Sequence, residues 1–131
     1  MTLDLATSYL EQDGLDQDHL ARQLANSYRW SRGYGPGASR LLKRIRRGAR
    51  WQDAARSVYP EGSLGNGAAM RAPVLAMLLP GDAEARDEAA RRSAEVTHAH
   101  PLGIDGAVII AAATSGFLCD RPDAEILTDV V

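Results

Sequence analysis

Hydrophobic residues recur through most of the chain at the three- and four-residue spacing of an amphipathic helix. Leu20, Leu24 and Tyr28, for example, form an i, i+4, i+8 stripe behind Asp16, a residue type that caps helix N-termini. The alternation of apolar and polar residues that marks a half-buried strand is not convincing anywhere in the sequence. The pattern therefore predicts an all-α domain.

Two stretches are apolar almost all round, which predicts central buried helices that pack against each other: Met70–Leu79 and Ala107–Ala113. Pro73 has no backbone N–H to donate, so it should kink the first of these helices or mark its effective start. The other helices with clear predicted limits are Trp51–Val58 and Ala83–Val96.

Several polar side chains are expected to have structural roles. We expect His19 to be solvated, Asp105 to cap a helix and Cys119 to be buried as a small hydrophobic residue. Two ion pairs, each spanning one helical turn, are expected on the surface of the Ala83–Val96 helix: Asp87–Arg91 and Glu88–Arg92.

Composition and charge indicate one ordinary globular domain. The chain has 131 residues, 45% hydrophobic and 24% charged, with a net charge of −2, so its overall charge does not favour a polyanionic partner. A single cysteine excludes an intrachain disulfide. The first eighteen residues contain five acidic residues and no Lys or Arg, so they do not resemble a secretory signal and favour the cytoplasm. The longest uncharged run, Gly106–Cys119, is too short and too rich in small residues to span a membrane, so no membrane partner is predicted.

A helix around residue 43 is predicted to be basic on one side and apolar on the other. Its cations follow the i, i+3, i+4, i+7 pattern, and its apolar side is formed by the residues between them: Arg40, Lys43, Arg44 and Arg47, with Leu41, Leu42 and Ile45. Such a face either attracts nucleic acid or is simply solvated, with the acidic first eighteen residues as a counter-charge. No aromatic residues interleave the cations to stack on bases, so no nucleic-acid partner is predicted.

The most informative stretch is a glycine-rich loop that leads into an apolar helix. It reads Gly62-Ser63-Leu64-Gly65-Asn66-Gly67-Ala68-Ala69-Met70-Arg71. Glycines permit a positive φ or a close approach to the backbone, and successive N–H groups before a helix form a concave donor array for phosphate or carboxylate. The loop is either an anion-binding site or only a tight connection before a helix. Arg71 either stays at the ligand end or forms a salt bridge to a nearby helix.

Two further segments are candidates for the same cleft. Gly33-Tyr34-Gly35-Pro36-Gly37 is a loop by composition, and Tyr34 is either part of a ligand wall or part of a helix connection. Thr97-His98 ends the Ala83–Val96 helix, and Pro101 starts the next segment. Without further context, His98 would be a structural residue or a partner for the helix dipole.

These three segments, in this order and at this spacing, resemble the ADP-ribosylglycohydrolase family, which includes the dinitrogenase-reductase-activating glycohydrolases. The resemblance implies an all-α, orthogonal multi-helix domain that hydrolyses the glycosidic bond between ADP-ribose and a modified protein or small molecule. In the family, the glycine-rich loop holds the pyrophosphate and the histidine lines the ADP-ribose site. Carried over by motif, the ligand-binding residues are Gly62, Ser63, Leu64, Gly65, Asn66, Gly67 and His98, with Tyr34 as the cleft wall.

The family chemistry also implies two Mg²⁺ ions, held by acidic residues that this sequence does not match. No catalytic residue and no metal ligand is therefore assigned, and neither ion is expected to bind this chain tightly. The resemblance predicts that residues 1–131 are the middle portion of the family domain, truncated at both ends, and that the chain alone is inactive. The alternative is a non-catalytic ADP-ribose-binding or structural remnant. In either case self-association, or a complementary fragment, is expected to cover exposed apolar faces.

Overall fold

The computed structural model describes residues 1–129, and all regular structure in that range is helical. A short 3-10 helix at Trp30–Arg32 separates the second and third of the nine α-helices within residues 1–129. The α-helices are α1 Thr2–Glu11, α2 Gln17–Ser27, α3 Pro36–Arg46, α4 Trp51–Val58, α5 Gly67–Arg71, α6 Pro73–Leu78, α7 Ala83–Glu95, α8 Pro101–Leu118 and α9 Asp123–Asp129. No strand occurs between residues 1 and 129, which confirms the predicted all-α class.

The core is built mainly from leucines and alanines contributed by α1 to α8. The predicted stripe of α2 is confirmed, because Leu20, Leu24 and Tyr28 are all buried. Asp16 caps α2 as predicted, since its side chain accepts a hydrogen bond of 2.7 Å from the N–H of His19. The N-terminal helices therefore form a packed hairpin, which supports α3 and α4.

The prediction that the side chain of His19 is solvated is wrong. Its ring is half-buried, and its Nδ1 lies 2.8 Å from the hydroxyl oxygen of Ser8, a fully buried residue on α1. Its Nε2 lies 3.5 Å from a carboxylate oxygen of Glu11. The side chain of His19 thus links α1 to α2, a contact between two helices that spacing along one helix does not reveal.

The predicted Met70–Leu79 helix is two helices. α5 ends at Arg71, and α6 begins at Pro73, whose missing N–H and fixed φ suit the first position of a helix. Pro73 thus marks a helix start, as expected. The prediction that this stretch is buried all round is wrong for Met70 and Met77, which are both 68% exposed.

Helix α8 lies across α5, α6 and α7 and packs through small side chains. Gly103, Ala107 and Ala111 are buried, so the neighbouring backbones approach closely. α8 has 18 residues and a mean hydropathy of 1.5, which is long and apolar enough to cross a membrane by length and composition. The prediction that this apolar segment is too short to cross a membrane was therefore wrong about its length, because the helix begins before Gly106 and includes Asp105. The core helix of a soluble protein, which is mostly buried, passes the same test; 22% of the α8 window is buried, and α8 packs on α5, α6, α7 and α9.

The predicted cap of α8 is also different. Asp105 is exposed inside the helix and does not cap it, because the helix begins four residues earlier at Pro101. His100 is the N-cap instead, and its Nδ1 accepts a hydrogen bond of 3.2 Å from the N–H of Leu102. At the other end, Cys119 is exposed rather than buried, since it lies where α8 leaves the core.

The predicted ion pairs on α7, between residues four apart, are not formed, and adjacent residues pair instead. Asp87 accepts from its neighbour Arg86, with a nitrogen–oxygen distance of 2.8 Å, rather than from Arg91. Arg86 is buried, so the carboxylate is drawn towards the core side of the helix and away from the exposed Arg91. Within residues 1–129 there is no salt bridge between Glu88 and Arg92 either.

Helix α3 is amphipathic as predicted. Leu41, Leu42 and Ile45 are buried, and the cations on the opposite side are exposed. The ammonium of Lys43 lies 5.7 Å from the centre of the Tyr28 ring. The expected counter-charge is not seen, since no ion pair of the described part of the chain joins α3 to the acidic N-terminal residues.

Candidate functional site

Three segments that are far apart in sequence meet around one cavity of about 450 Å³. They are the turn before α3, the glycine-rich loop before α5, and the segment that follows α7. The predicted site residues that line the cavity are Tyr34, Ser63, Gly65, Asn66, Gly67 and His98. The fold thus assembles most of the candidate residues on one surface.

Two of the predicted residues are not brought to this cavity. Gly62 lines a neighbouring cavity, because its α-carbon packs against the backbone of Ala99 and His100. The side chain of Leu64 is exposed to solvent and does not line either cavity. The predicted loop therefore has an inward-facing part, residues 63 and 65–67, and two residues that face elsewhere.

The glycine-rich loop and the segment after α7 interlock, which explains the glycines. A β-carbon on Gly67 would lie 2.8 Å from Cε1 of His98, and one on Gly65 would lie 3.2 Å from Nε2 of the same ring. Gly62 has a φ of +86°, and a β-carbon added there would collide with the backbone nitrogen of His100. The N–H of Gly65 donates to the Ser63 hydroxyl over 3.2 Å. These positions need glycine for close approach and, at Gly62, also for backbone conformation.

His98 is a buried, uncharged ring at neutral pH. It is 6% exposed, and its Nδ1 lies 2.7 Å from the hydroxyl oxygen of Thr97, while the Nε2 edge faces Gly65 and Gly67. Burial lowers the pKa of His98 from its usual 6.5 to about 4, and the nearby charge of Arg71 contributes to the same shift. At pH 7 the ring therefore provides a neutral hydrogen-bonding edge rather than a positive charge.

Arg71 was not assigned to the site from the sequence, yet it is one of the residues that line the cavity. It is fully buried, and its Nε donates to the Ser93 hydroxyl over 3.0 Å. One terminal nitrogen donates to the Ser93 carbonyl, and the other donates to the Gly67 carbonyl over 3.4 Å. Burial lowers the pKa of Arg71 to about 10, so the guanidinium remains charged at neutral pH. Arg71 thus contacts a nearby helix without the salt bridge that was one of its two predicted roles.

Tyr34 forms part of the cavity wall and is held by another aromatic ring. Its ring centre lies 5.0 Å from that of Tyr28 at an interplanar angle of 53°, and the Tyr28 hydroxyl lies 2.6 Å from that of Ser39. The turn around Tyr34 is shorter than the predicted Gly33–Gly37 loop, because Pro36 is already the first residue of α3. Gly33 ends the preceding 3-10 helix with a left-handed φ of +68°.

Tyr59 is a wall residue that the sequence did not indicate. It lines both this cavity and its neighbour, and its hydroxyl occupies the space where Gly37 would carry a side chain. The one available signal was an aromatic residue just before the turn that introduces the glycine-rich loop. Tyr59 thus separates the two cavities.

The electrostatics of the cavity favour a negatively charged ligand. Among the residues described, its lining includes Arg32 and Arg71 and no Asp or Glu. Residues 1–129 also contain no group of three or more His, Cys, Asp or Glu side chains that could hold a metal ion. The arrangement is suited to binding an anion, and it offers none of the carboxylates that a hard divalent cation needs.

Comparison with known proteins points to one family. The family model described as ADP-ribosylglycohydrolase matches residues 1–130. ADP-ribosylhydrolase ARH3 of Mus musculus is 32% identical over 123 residues, which cover 86% of this chain and 32% of the relative. The Homo sapiens protein of the same name is 30% identical over 118 residues, with the same coverage, and that of Danio rerio is 33% identical over 114 residues, covering 83% and 30%. The chain thus spans about a third of the length of the curated relatives it matches.

Proposed function

Because the chain belongs to the ADP-ribosylglycohydrolase family, we propose that it binds the ADP-ribosyl group of a modified protein or small molecule and forms part of a hydrolase for its glycosidic bond. The observation that carries this proposal is the cavity between Tyr34, the loop of residues 63–67 and His98. Its lining contains two arginines and no described acidic side chain, a composition that suits a diphosphate.

The backbone of the loop supports recognition of the diphosphate. Gly65 and Gly67 let the His98 ring approach the main chain closely, which fixes the loop at the edge of the cavity that both glycines line. The loop is fixed from behind by the His98 ring, so little conformational entropy remains to be lost when a ligand binds. Such a preformed donor array holds phosphate oxygens in one position, which in turn places the ribose.

The side chains around the loop are assigned to the rest of the ligand. Tyr34 presents an aromatic ring at the wall, suited to stacking or to a hydroxyl hydrogen bond. His98 is neutral at pH 7 and offers one ring nitrogen towards the loop, where it can hydrogen-bond to a ligand hydroxyl or stabilise the loop itself. Neither side chain is proposed as a general acid or base.

Metal chemistry is part of the family resemblance, which implies two Mg²⁺ ions that orient the ribose hydroxyls and a water molecule. The residues described here do not fit that role, because the cavity lining has no carboxylate and residues 1–129 contain no cluster of metal-binding side chains. We therefore derive no hydrolytic step from these residues. The second candidate is an ADP-ribose-binding or structural remnant of the family without catalytic activity.

The proposal is tested by isothermal titration of the purified chain with ADP-ribose, with and without Mg²⁺. We expect saturable binding in both buffers, weakened about tenfold or more by His98→Ala because the ring supports Gly65 and Gly67. His100→Ala is the matched control, since that side chain caps α8 and does not line the cavity. A folded chain that does not bind ADP-ribose would contradict the proposal.

A hydrolysis assay separates the two candidates. We expect the chain alone to release no ADP-ribose from an ADP-ribosylated peptide, with or without Mg²⁺. Release by the pure chain would show that the metal-binding groups are present after all. Release only after addition of the remaining two thirds of a family domain would identify the chain as part of an enzyme, and failure to complement would favour the remnant.

A further inference from the structure

Arg71 is a buried cation without an acidic partner. Its side chain is completely buried, yet its hydrogen-bond acceptors are the Ser93 hydroxyl and the main-chain carbonyls of Ser93 and Gly67. No ion pair of the described chain involves it. A buried charge is costly unless it is compensated, and neutral acceptors compensate only part of that cost.

The contact with Ser93 explains why the side chain is held, but does not require a full charge. Ser93 lies near the end of α7, where main-chain carbonyls lack partners within the helix, and a donor there satisfies one of them. Uncharged N–H donors at the same places would make the same kinds of bond. The structural role therefore accounts for the hydrogen bonds of Arg71 and leaves its charge unexplained.

The position of the charge indicates where its counter-charge belongs. The guanidinium donates to the carbonyl of Gly67, the first residue of α5, and adjoins the cavity whose described lining has no acidic residue. It also acts on His98, whose pKa it helps to lower. Its field therefore reaches the inward side of the loop through a region with little water to screen it.

We propose that Arg71 is a positioning residue whose buried charge makes this cavity select ligands that carry a diphosphate over neutral nucleosides. The inference rests on the proposed function, and deepens it by separating two contributions to recognition. The loop supplies hydrogen-bond donors, which a neutral ligand can also use, whereas Arg71 supplies a fixed positive potential that only an anionic ligand can exploit.

The test compares ADP-ribose with adenosine, which lacks the diphosphate, in equilibrium binding to the full chain and its variants. Arg71→Gln keeps N–H donors for Ser93 and removes the charge, so we expect about tenfold or greater weakening for ADP-ribose and less than about twofold for adenosine. Arg71→Lys keeps the charge and should retain most of the preference. Arg32→Gln removes an exposed charge at the same cavity and should cost less than about threefold at physiological salt.

A purely structural role for Arg71 would weaken both ligands equally, or neither, and either outcome overturns the inference. If Arg71→Gln does not fold, as judged by circular dichroism, Arg71→Lys and inorganic pyrophosphate decide the matter. Pyrophosphate should then compete with ADP-ribose for binding to both the wild type and Arg71→Lys, which carry a charge at this position. Absence of competition overturns the inference. If the wild-type chain does not bind ADP-ribose, the proposed function itself is refuted. If the wild type binds it and Arg71→Gln keeps the same preference for ADP-ribose over adenosine, only the role of Arg71 is refuted.

Discussion

Acid should destabilise this chain through one histidine. The pKa of His98 is lowered to about 4 in the folded protein, first by burial and then by the charge of Arg71. In the unfolded chain the ring takes up a proton with its usual pKa of about 6.5. The neutral ring therefore favours the folded state above pH 6.5, and this contribution is lost as the pH falls from 6.5 towards 4.

The size of the effect follows from the two pKa values. Between pH 7 and pH 5 the unfolded ring becomes almost fully protonated while the folded ring remains mostly neutral. The free energy of unfolding should therefore fall by about 2 kcal/mol from this group alone. That is a large fraction of the stability of a small domain, so the effect should be visible above the titration of the surface carboxylates.

Urea unfolding of the wild type, His98→Gln and His100→Gln at pH 7, 6 and 5 measures this contribution. His98→Gln should be less stable at pH 7, because it loses the ring packed on Gly65 and Gly67, but its stability should fall less steeply with acid. His100→Gln, which removes the exposed cap of α8, should keep the wild-type slope. Parallel pH profiles for the wild type and His98→Gln would refute the reasoning, because they would show that the ring accepts its proton without unfolding.

Two further predictions concern the backbone and the exposed surface. Gly62→Ala and Gly81→Ala both place a side chain at a positive φ, but only Gly62 lies against another main chain, at His100. We expect Gly81→Ala to cost about 1 kcal/mol and Gly62→Ala about 3 kcal/mol or more in urea unfolding, and equal costs would contradict the close approach of the two main chains. Exposed apolar side chains on α8, such as Ile110 and Phe117, also sustain the prediction of self-association. Sedimentation should show dimers or larger species at micromolar concentration, and a monomer at all concentrations would contradict it.

Much of the site could be predicted because its chemistry is concentrated in short motifs. Glycines at positions 62, 65 and 67 indicated a close approach to the backbone, and the structure supplies the approaching groups, His98 and the main chain at His100. The glycine-rich surroundings of Tyr34 left its role open, and the family resemblance suggested the wall position that it has in the cavity. Leu64 was carried over as part of the Gly62–Gly67 motif, but its outward direction depends on how the loop is folded.

The sequence by itself determined the helical class and the limits of some helices, because these depend on local properties. Hydrophobic spacing, an Asp cap and a proline without an N–H act within a few residues of where they occur. Helix α4, for instance, has the limits Trp51–Val58 that its pattern predicts.

The tertiary structure alone decided which polar groups are buried and what they contact. His19 bonds to Ser8 on another helix, Cys119 lies at the exposed end of α8, and Arg71 is enclosed between α7 and the loop. Burial and charge depend on which elements pack together, and that arrangement follows from the sum of many distant contacts. For this reason a cation in an apolar stretch was visible in the sequence, while its position beneath a cavity without described acidic residues was not.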